Sequence, residues 1–551
     1  MCGIFGGHET LLLSNVQDVL YHRGPNQQST KVVDPSDQNG SLIVGQTRLN
    51  IVDRHDIRIP MEINGYTITF NGEIYNWREL RRELEKEGYA FSTNTDIEVA
   101  LVSYIHWGAA CLERFNGQFA FAIFDGQQFW LARDRLGKKP LFYKMENDRF
   151  AFASEMKAFE SLIHAPNVLC ELLEFYFDTH TPFKDLFSVP CGGWVSWSPA
   201  QGLSTGRWWQ FPSYKGDITD IDDAVDEFLA IFKESCRLRQ VADVPVCTFL
   251  SGGIDSSLIQ IICESDVAFT IQFEEFRDTI EEEELVRDLG QRMGFDNRII
   301  TPTEEDFNAL YSDFARAIEY PVGSFSIFPL YVLSKTARES GFRVALSGEG
   351  SDEIFNGYHR NIMLMQENEL VQTHSGGAYR SLAEKYFGSG AARVARMAQR
   401  QPGDLSPELV KLIARDWNDE EPFEHNLARF ETLIPLQPLL TMADRTSMAH
   451  GLEVRNPFLD YRLIEFSVRL HPTIRRQGNF GKLVVRRAVE RISERYGRLK
   501  LLDREFKHGL PAPANLWLFH REGFERGHWN AWLIRECMHQ LYETQKKLVA
   551  N

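Results

Sequence analysis

The sequence predicts an α/β protein whose two halves have different grammar, and three observations carry this. In the first half, short alternating apolar runs are cut by the turn pairs Asn64-Gly65, Asn71-Gly72, Asn116-Gly117 and Asp125-Gly126. Beyond about residue 210, short β-rich runs are each followed by a helical pattern. Between the two, Ser198–Asp220 gathers Pro199, Pro212 and several Gly, Ser and Thr. The first pattern is that of antiparallel sheet. The second is that of a parallel sheet with crossover helices. This places one domain at 1–205 and a second at 215–551.

In the first half, strands are expected at Ser41–Val44, Tyr66–Phe70, Gln118–Phe124, Phe129–Ala132 and Arg149–Ala153. Helices are expected at Trp77–Gly88, where Leu80 and Leu84 share a face, and at about Asp96–Gly108. In the second half, Val244–Leu250 precedes a helix at Asp255–Cys263. Phe269–Phe273 precedes Glu281–Met293, and Arg343–Leu346 precedes Asp352–Phe355. The polar, Gly/Arg/Gln-rich segment Glu369–Pro407 reads as helices with a flexible connection.

The chain has 551 residues, 43% hydrophobic and 25% charged, which excludes a disordered, collagenous or coiled-coil protein. Its formal charge of −17 argues against non-specific binding to nucleic acid or anionic membrane. No apolar run reaches the ~18 residues of a spanning helix, and the N-terminus does not read as a signal peptide. Eight scattered cysteines without a C-x-x-C pair suggest reduced thiols, mostly core filler, in a cytoplasmic protein.

Cys2 is set apart. Loss of the initiator Met makes it the first residue, with the thiolate as nucleophile and its own α-amine as proton shuttle. Gly3 lets a substrate approach the backbone closely. Tyr21-His22-Arg23-Gly24-Pro25, Arg48-Leu49-Asn50-Ile51-Val52-Asp53, Asn71-Gly72-Glu73-Ile74-Tyr75-Asn76 and Thr95-Asp96-Ile97-Glu98 follow in order. At these residues the chain resembles the class II, N-terminal-nucleophile glutamine amidotransferases. The chemistry agrees. The Asn71 amide and the Gly72 N–H suit an oxyanion hole. Arg48 suits a bidentate clamp on the α-carboxylate of glutamine. Asp96, helped by Glu73, suits the α-ammonium. The resemblance also implies glutamine contacts at Val52 and an αββα four-layer sandwich of the Ntn-hydrolase type. His22 reads as structural. Asn26 and Asn50 stand where the family usually has Asp and Ser.

In the second half, the strand Val244–Leu250 runs into Ser251-Gly252-Gly253-Ile254-Asp255-Ser256-Ser257 and a helix. A strand, a Gly-rich turn and a helix N-terminus make an anion site. No Lys follows as in a Walker A loop. The motif resembles the phosphate loop of ATP pyrophosphatases. A second strand end carries Ser347-Gly348-Glu349-Gly350-Ser351-Asp352-Glu353, so both turns fall at the carboxyl edge of a parallel sheet. Asp255 and Asp352 are then candidate ligands for Mg²⁺ on pyrophosphate. The acidic run Glu281–Glu284 reads as a solvated helix end. Lys482 and Arg486 would share a helix face, with Lys482 suited to charge developing on phosphate.

Together with Asp444-Arg445 and Glu453-Val454-Arg455-Asn456-Pro457-Phe458-Leu459-Asp460, these motifs resemble the glutamine-hydrolysing asparagine synthetases over about residues 1–515. The resemblance implies that ATP, as substrate, activates a carboxylate as an acyl-adenylate. Ammonia reaches it through an internal channel. Glu349 acts as base or orienting residue, Lys482 stabilises adenylation, and adenine and ribose lie against Leu250, Ile271, Ser347 and Gly348. The expected partners are glutamine, ATP and an acceptor such as aspartate, with a homodimer as the candidate assembly. Gln272, His450, Val454 and Asn456 depart from the usual family residues, so a different acceptor acid remains an alternative. A β-lactam-synthetase-like cyclase or a silent scaffold are further alternatives. Cys2 and Glu349 speak against the cyclase.

Overall fold

The computed structural model describes residues 2–34, 40–53, 55, 57–165, 178–277, 282–320, 327–373, 389–399, 404–497, 499, 502, 513–518, 537 and 539. In the first part the strands are β1 (Cys2–His8), β2 (Gln27–Asp34), β3 (Leu42–Arg48), β4 (Met61–Ile63), β5 (Tyr66–Ile74) and β6 (Gly117–Phe124). They continue with β7 (Phe129–Arg133), β8 (Phe142–Glu146), β9 (Arg149–Ala153), β10 (Leu186–Ser188), β11 (Gly193–Ser198) and β12 (Gly202–Arg207). Among the described residues they form two antiparallel sheets, ordered β10-β8-β9-β1-β3-β2 and β12-β11-β7-β6-β5-β4.

The sheets face each other across one apolar core. Ile4, Val44 and Phe152 come from the first sheet, and Ala120, Leu131 and Val195 from the second. Period-2 alternation drives this, since each strand needs an apolar face on the partner sheet. The helices Trp77–Lys86 and Asp96–Trp107 cover the outer side of the second sheet, packing Trp77, Leu80, Leu84 and Val99 with Ile68 and Phe70. The short helix Val16–Val19 lies with Phe5, Ile43 and Ala153 on the outer side of the first. The layer order is the expected αββα.

The second part holds β13 (Val246–Phe249), β14 (Val267–Ile271), β15 (Asp296–Ile300), β16 (Val344–Leu346) and β17 (Glu453–Arg455). Their order is β15-β14-β13-β16-β17 and every pairing is parallel. The chain steps outward from β13 to β15 and then returns to the other side of β13 as β16. The carboxyl ends of β13 and β16 therefore flank a topological switch point, where open α/β sheets bind ligands. Leu258 and Ile259 pack on one face of the sheet with Phe228 and Val485. Phe307, Phe328 and Tyr331 pack on the other with Phe269 and Ala345. No helix among the described residues is long and apolar enough to cross a membrane.

Three readings need correction or limits. Lys482 does not lie in a helix. It precedes the helix Leu483–Ser493 in the left-handed conformation, with φ 53°, so it does not share a helix face with Arg486. Glu282 is buried, so the acidic run is not wholly a solvated end; Glu281 lies outside the described residues. Within the polar segment, the helices His359–Thr373, Gly390–Ala398 and Pro407–Arg415 are described, while 374–388 and 400–403 lie outside.

Gly7 and Gly126 both hold positive φ, 97° and 95°. A Cβ on Gly7 would lie 2.3 Å from the Phe150 carbonyl oxygen, whereas one on Gly126 meets nothing within 4 Å. Gly126→Ala is expected to cost about 1–2 kcal/mol of conformational strain. Gly7→Ala adds a backbone clash and should cost more than about 3 kcal/mol. Denaturant titration of both variants checks the order; equal losses would contradict the close approach of β1 and β9.

Candidate functional site

The first site lies at one end of the sandwich. β1 opens at Cys2, which pairs in register with Arg48 on β3 and is 4% exposed. From the facing sheet, β5 presents Asn71, whose Oδ1 accepts from the Cys2 N–H at 3.1 Å. The Asn71 side-chain amide nitrogen is buried and has no hydrogen-bond partner among the described residues. An unpaired buried donor costs about 1–3 kcal/mol unless something satisfies it. A donor of this kind, on the side chain that also holds the Cys2 N–H, suits an oxyanion. Gly72 follows with φ 140°, and a Cβ there would fall 2.0 Å from the Gln118 carbonyl oxygen. Only glycine fits this position.

The expected glutamine contacts divide. Asp96 opens the helix Asp96–Trp107, which Thr95 caps, and its Oδ2 accepts from the Ile74 N–H at 2.9 Å. Burial pushes its pKa up to about 6, against that hydrogen bond. Arg48 also acts on it as a nearby positive charge. The Arg48 guanidinium is braced by its own loop: Nη1 donates to His55 O at 2.9 Å, and Nη2 to Val52 O at 3.2 Å and Asp53 O at 2.7 Å. With both Nη2 hydrogens engaged, a bidentate carboxylate must replace carbonyls of that turn. Glu73 faces the second part of the chain, with Oε1 3.5 Å from Arg455 Nη2. Burial raises its pKa well above the usual range, with Asp96 adding to the effect.

The second site is at the β13/β16 switch point. Leu250 follows β13, and Ser251, Gly252 (φ 69°) and Gly253 lead into the helix Ile254–Cys263. The Ser251 and Ser256 hydroxyls lie 3.2 Å apart, and the Ser251 N–H donates to Ser256 Oγ at 3.2 Å. Ile271 closes β14, next in the sheet. Just after β16, the Ser347 N–H donates to Arg455 O at 2.9 Å, and a Cβ on Gly348 would lie 3.0 Å from Asp255 Cβ. The two turns are thus in contact. Lys482 Nζ sits 2.7 Å from Asp255 Oδ2 and 2.7 Å from Asp352 Oδ1, with all three side chains buried. Its left-handed backbone aims the side chain between the two carboxylates. Glu349 accepts from Asn456 Nδ2 at 2.9 Å.

Sequence reasoning assigned no role to several groups between the sites. Arg23 is fully buried and joins Cys2 O, Glu155 and Asp444. Arg445 pairs with Glu155 at 3.0 Å and Glu319 at 2.8 Å. His22, read as structural, hydrogen-bonds Glu155 at 3.2 Å, and burial lowers its pKa. A cavity between the two parts is lined by Gln118, Lys138, Lys139, Asp444 and Asn456. Burial pushes the Lys138 pKa down to about 7. The Arg and Asp pairs stood within quoted motifs. Charged residues that no nearby stretch of sequence could pair were the available signal.

Residues 1–209 match the family model described as glutamine amidotransferase domain, and residues 227–536 match the one described as asparagine synthase. The chain is 28% identical over 98% of its length to asparagine synthetase (glutamine-hydrolyzing) 1 of Bacillus subtilis (strain 168), and covers 91% of that protein. It is 30% identical over 89% of its length to asparagine synthetase (glutamine-hydrolyzing) 3 of the same organism, covering 84% of it. To amidase chry2 of Gibberella zeae it is 24% identical over 84% of its length, covering 79%.

Two outcomes follow from the pocket. Arg48→Lys should raise the glutamine KM about tenfold or more with little change in kcat, because an ammonium cannot hold both carboxylate oxygens. Steady-state glutaminase kinetics check it; an unchanged KM would remove Arg48 from carboxylate binding. Asp96 must be ionised to hold an ammonium. With its pKa raised to about 6, glutaminase kcat/KM should fall as pH drops through that value. Asp96→Asn should lower kcat/KM above that pH and abolish this limb; an acid limb that persists in the variant would assign it elsewhere.

Proposed function

The chain belongs to the asparagine synthase family of glutamine-hydrolysing ligases, and from that premise we propose aspartate as the acceptor and asparagine as the product. The observation that carries the glutamine half is the contact of Cys2 with Asn71, whose buried amide nitrogen has no partner among the described residues. Once Met1, which lies outside the described residues, is removed, the Cys2 nitrogen becomes an α-amine in the same place. The thiolate attacks the glutamine carboxamide. Asn71 and the Gly72 N–H stabilise the oxyanion, and Arg48, Val52 and Asp96 hold the amino-acid end. Glu73 supports Asp96 from the interface. Ammonia leaves, and water releases glutamate.

In the second unit, residues 215–551 as against 1–205, ATP lies over the Ser251–Ser256 turn. Leu250, Ile271, Ser347 and Gly348 surround its nucleoside. Asp255 and Asp352 converge on one point, and two buried carboxylates beside phosphate oxygens suit Mg²⁺. When bound, the ion would offset charge on the pyrophosphate. Lys482, already between these carboxylates, supplies positive charge as the acyl-adenylate forms. Ammonia crosses the cavity between the two parts. Glu349 orients it and takes its proton as the amide forms. A cytoplasmic location and a homodimer belong to the same proposal.

One observation favours a second reading, the same chemistry on another carboxylic acid. Asn456 puts a polar amide on Glu349 where the family's usual residue is apolar. An acceptor screen that follows pyrophosphate release across amino acids and metabolite acids separates the two readings.

Cys2→Ala should abolish glutamine-dependent amide formation and leave the ammonium-dependent reaction intact. Glu349→Gln should do the reverse: glutaminase survives, while single-turnover amide formation falls about 10²–10⁴-fold. Glutaminase activity in Cys2→Ala, or full amide formation in Glu349→Gln, would overturn the corresponding assignment.

A further inference from the structure

We infer that Asp444, in the synthetase part, is a positioning residue for Cys2 and acts across the interface through the Arg23 guanidinium. This rests on the reading of Cys2 as nucleophile and adds a residue from the other half of the molecule to the glutaminase site.

Arg23 ends the short turn Tyr21–Arg23 and has no solvent exposure. Its Nε donates to the Cys2 carbonyl at 3.1 Å. Its Nη1 donates to Asp444 Oδ2 at 2.8 Å and to Glu155 Oε1 at 2.7 Å, and its Nη2 to Asp444 Oδ1 at 3.2 Å. A planar guanidinium held at both Nη atoms by one carboxylate has a fixed plane. Its Nε–H then points in one direction, and the Cys2 carbonyl lies there. The other neighbours of Cys2 hold its amide nitrogen, through Asn71, and the next residue, through Thr47 Oγ1 at 3.0 Å from Gly3 N. Arg23 is what holds the carbonyl side.

Asp444 is placed as firmly. It lies on the helix Leu436–Met448, 3% exposed, with Lys139 Nζ 3.5 Å from its Oδ1. The next residue, Arg445, grips Glu155 and Glu319. The stretch from Asp444 to Asn456 therefore touches the nucleophile residue at one end, through Arg23, and Glu349 at the other. Loss of one Asp444 oxygen charge would free the guanidinium to rotate toward Glu155. A thiolate displaced by a fraction of an ångström loses rate, not affinity, because the glutamine-binding side chains are elsewhere.

The test uses the full-length enzyme and compares Asp444→Asn with Gln437→Ala. Gln437 lies on the same helix and crosses the same interface, donating to Leu136 O at 2.9 Å, away from Cys2. Asp444→Asn should lower glutaminase kcat about 10–100-fold with glutamine KM nearly unchanged. It should slow Cys2 alkylation by a glutamine-shaped chloroketone in parallel and preserve ammonium-dependent amide formation. Gln437→Ala should leave glutaminase kcat as in the parent. Should Asp444→Asn fail to fold, Arg23→Lys, which keeps the charge and loses the fork, should show the same kcat loss. An unchanged kcat in the folded variant, or an equal loss in Gln437→Ala, overturns the inference. Cys2→Ala run alongside separates the causes: retained glutaminase there would mean that the nucleophile assignment itself had failed.

Discussion

The two halves are held in register by charges buried between them. Arg23, Glu155 and Lys157 from the first part meet Glu319, Asp444 and Arg445 from the second, and none of these side chains is appreciably exposed. Desolvation offsets most of the attraction in such a network, so it adds little net stability. Its effect is on alternatives. A shifted interface would leave at least one charge buried without its partner, at about 3–5 kcal/mol. Arg455, paired with Glu453 and near Glu73, and Asp460, bound by Arg239 and Asn116, extend the same constraint along the contact. Two sheet systems of different architecture are thereby held in one relative placement, and the cavity between them keeps its shape.

Each half solves a different electrostatic problem. On the proposed function, the sandwich stabilises a single developing oxyanion with neutral donors fixed by sheet geometry: the Asn71 amide and a backbone that only Gly72 permits. On the same proposal, the parallel sheet receives a polyanion. It places a Gly-rich turn, a helix N-terminus and Lys482 at the switch point, with Asp255 and Asp352 setting the position of the lysine. On that proposal, phosphate and metal enter the buried Asp255–Lys482–Asp352 cluster by exchange of partners.

Much of this was legible in the sequence because it is local. The alternating runs between residues 41 and 153 and the strand-turn-helix units after 244 carry their own periodicity, so sheet type and helix faces followed directly. The strands β1, β15 and β17 were not legible. β1 is rich in glycine, β15 begins Asp-Asn-Arg at a sheet edge, and β17 has three residues, too few to show a period. Cys2, Asn71, Gly72, Asp255 and Glu349 were recognisable from motifs. The contacts of Arg23 with Glu155 and Asp444, the turn of Glu73 toward Arg455 and the bond from Asn456 to Glu349 were not. Each depends on residues more than 100 positions apart, and nothing in sequence spacing brings them together.

On the proposed function, nitrogen from glutamine is delivered inside the molecule to an ATP-activated carboxylate. The most direct measurement supplies glutamine labelled with ¹⁵N in its side-chain amide, together with ATP, aspartate and an excess of unlabelled ammonium, and weighs the product. Internal delivery yields asparagine carrying ¹⁵N, with AMP and pyrophosphate formed in equal amount to it. Unlabelled product alone, or glutamate released with no amide formed, would contradict it.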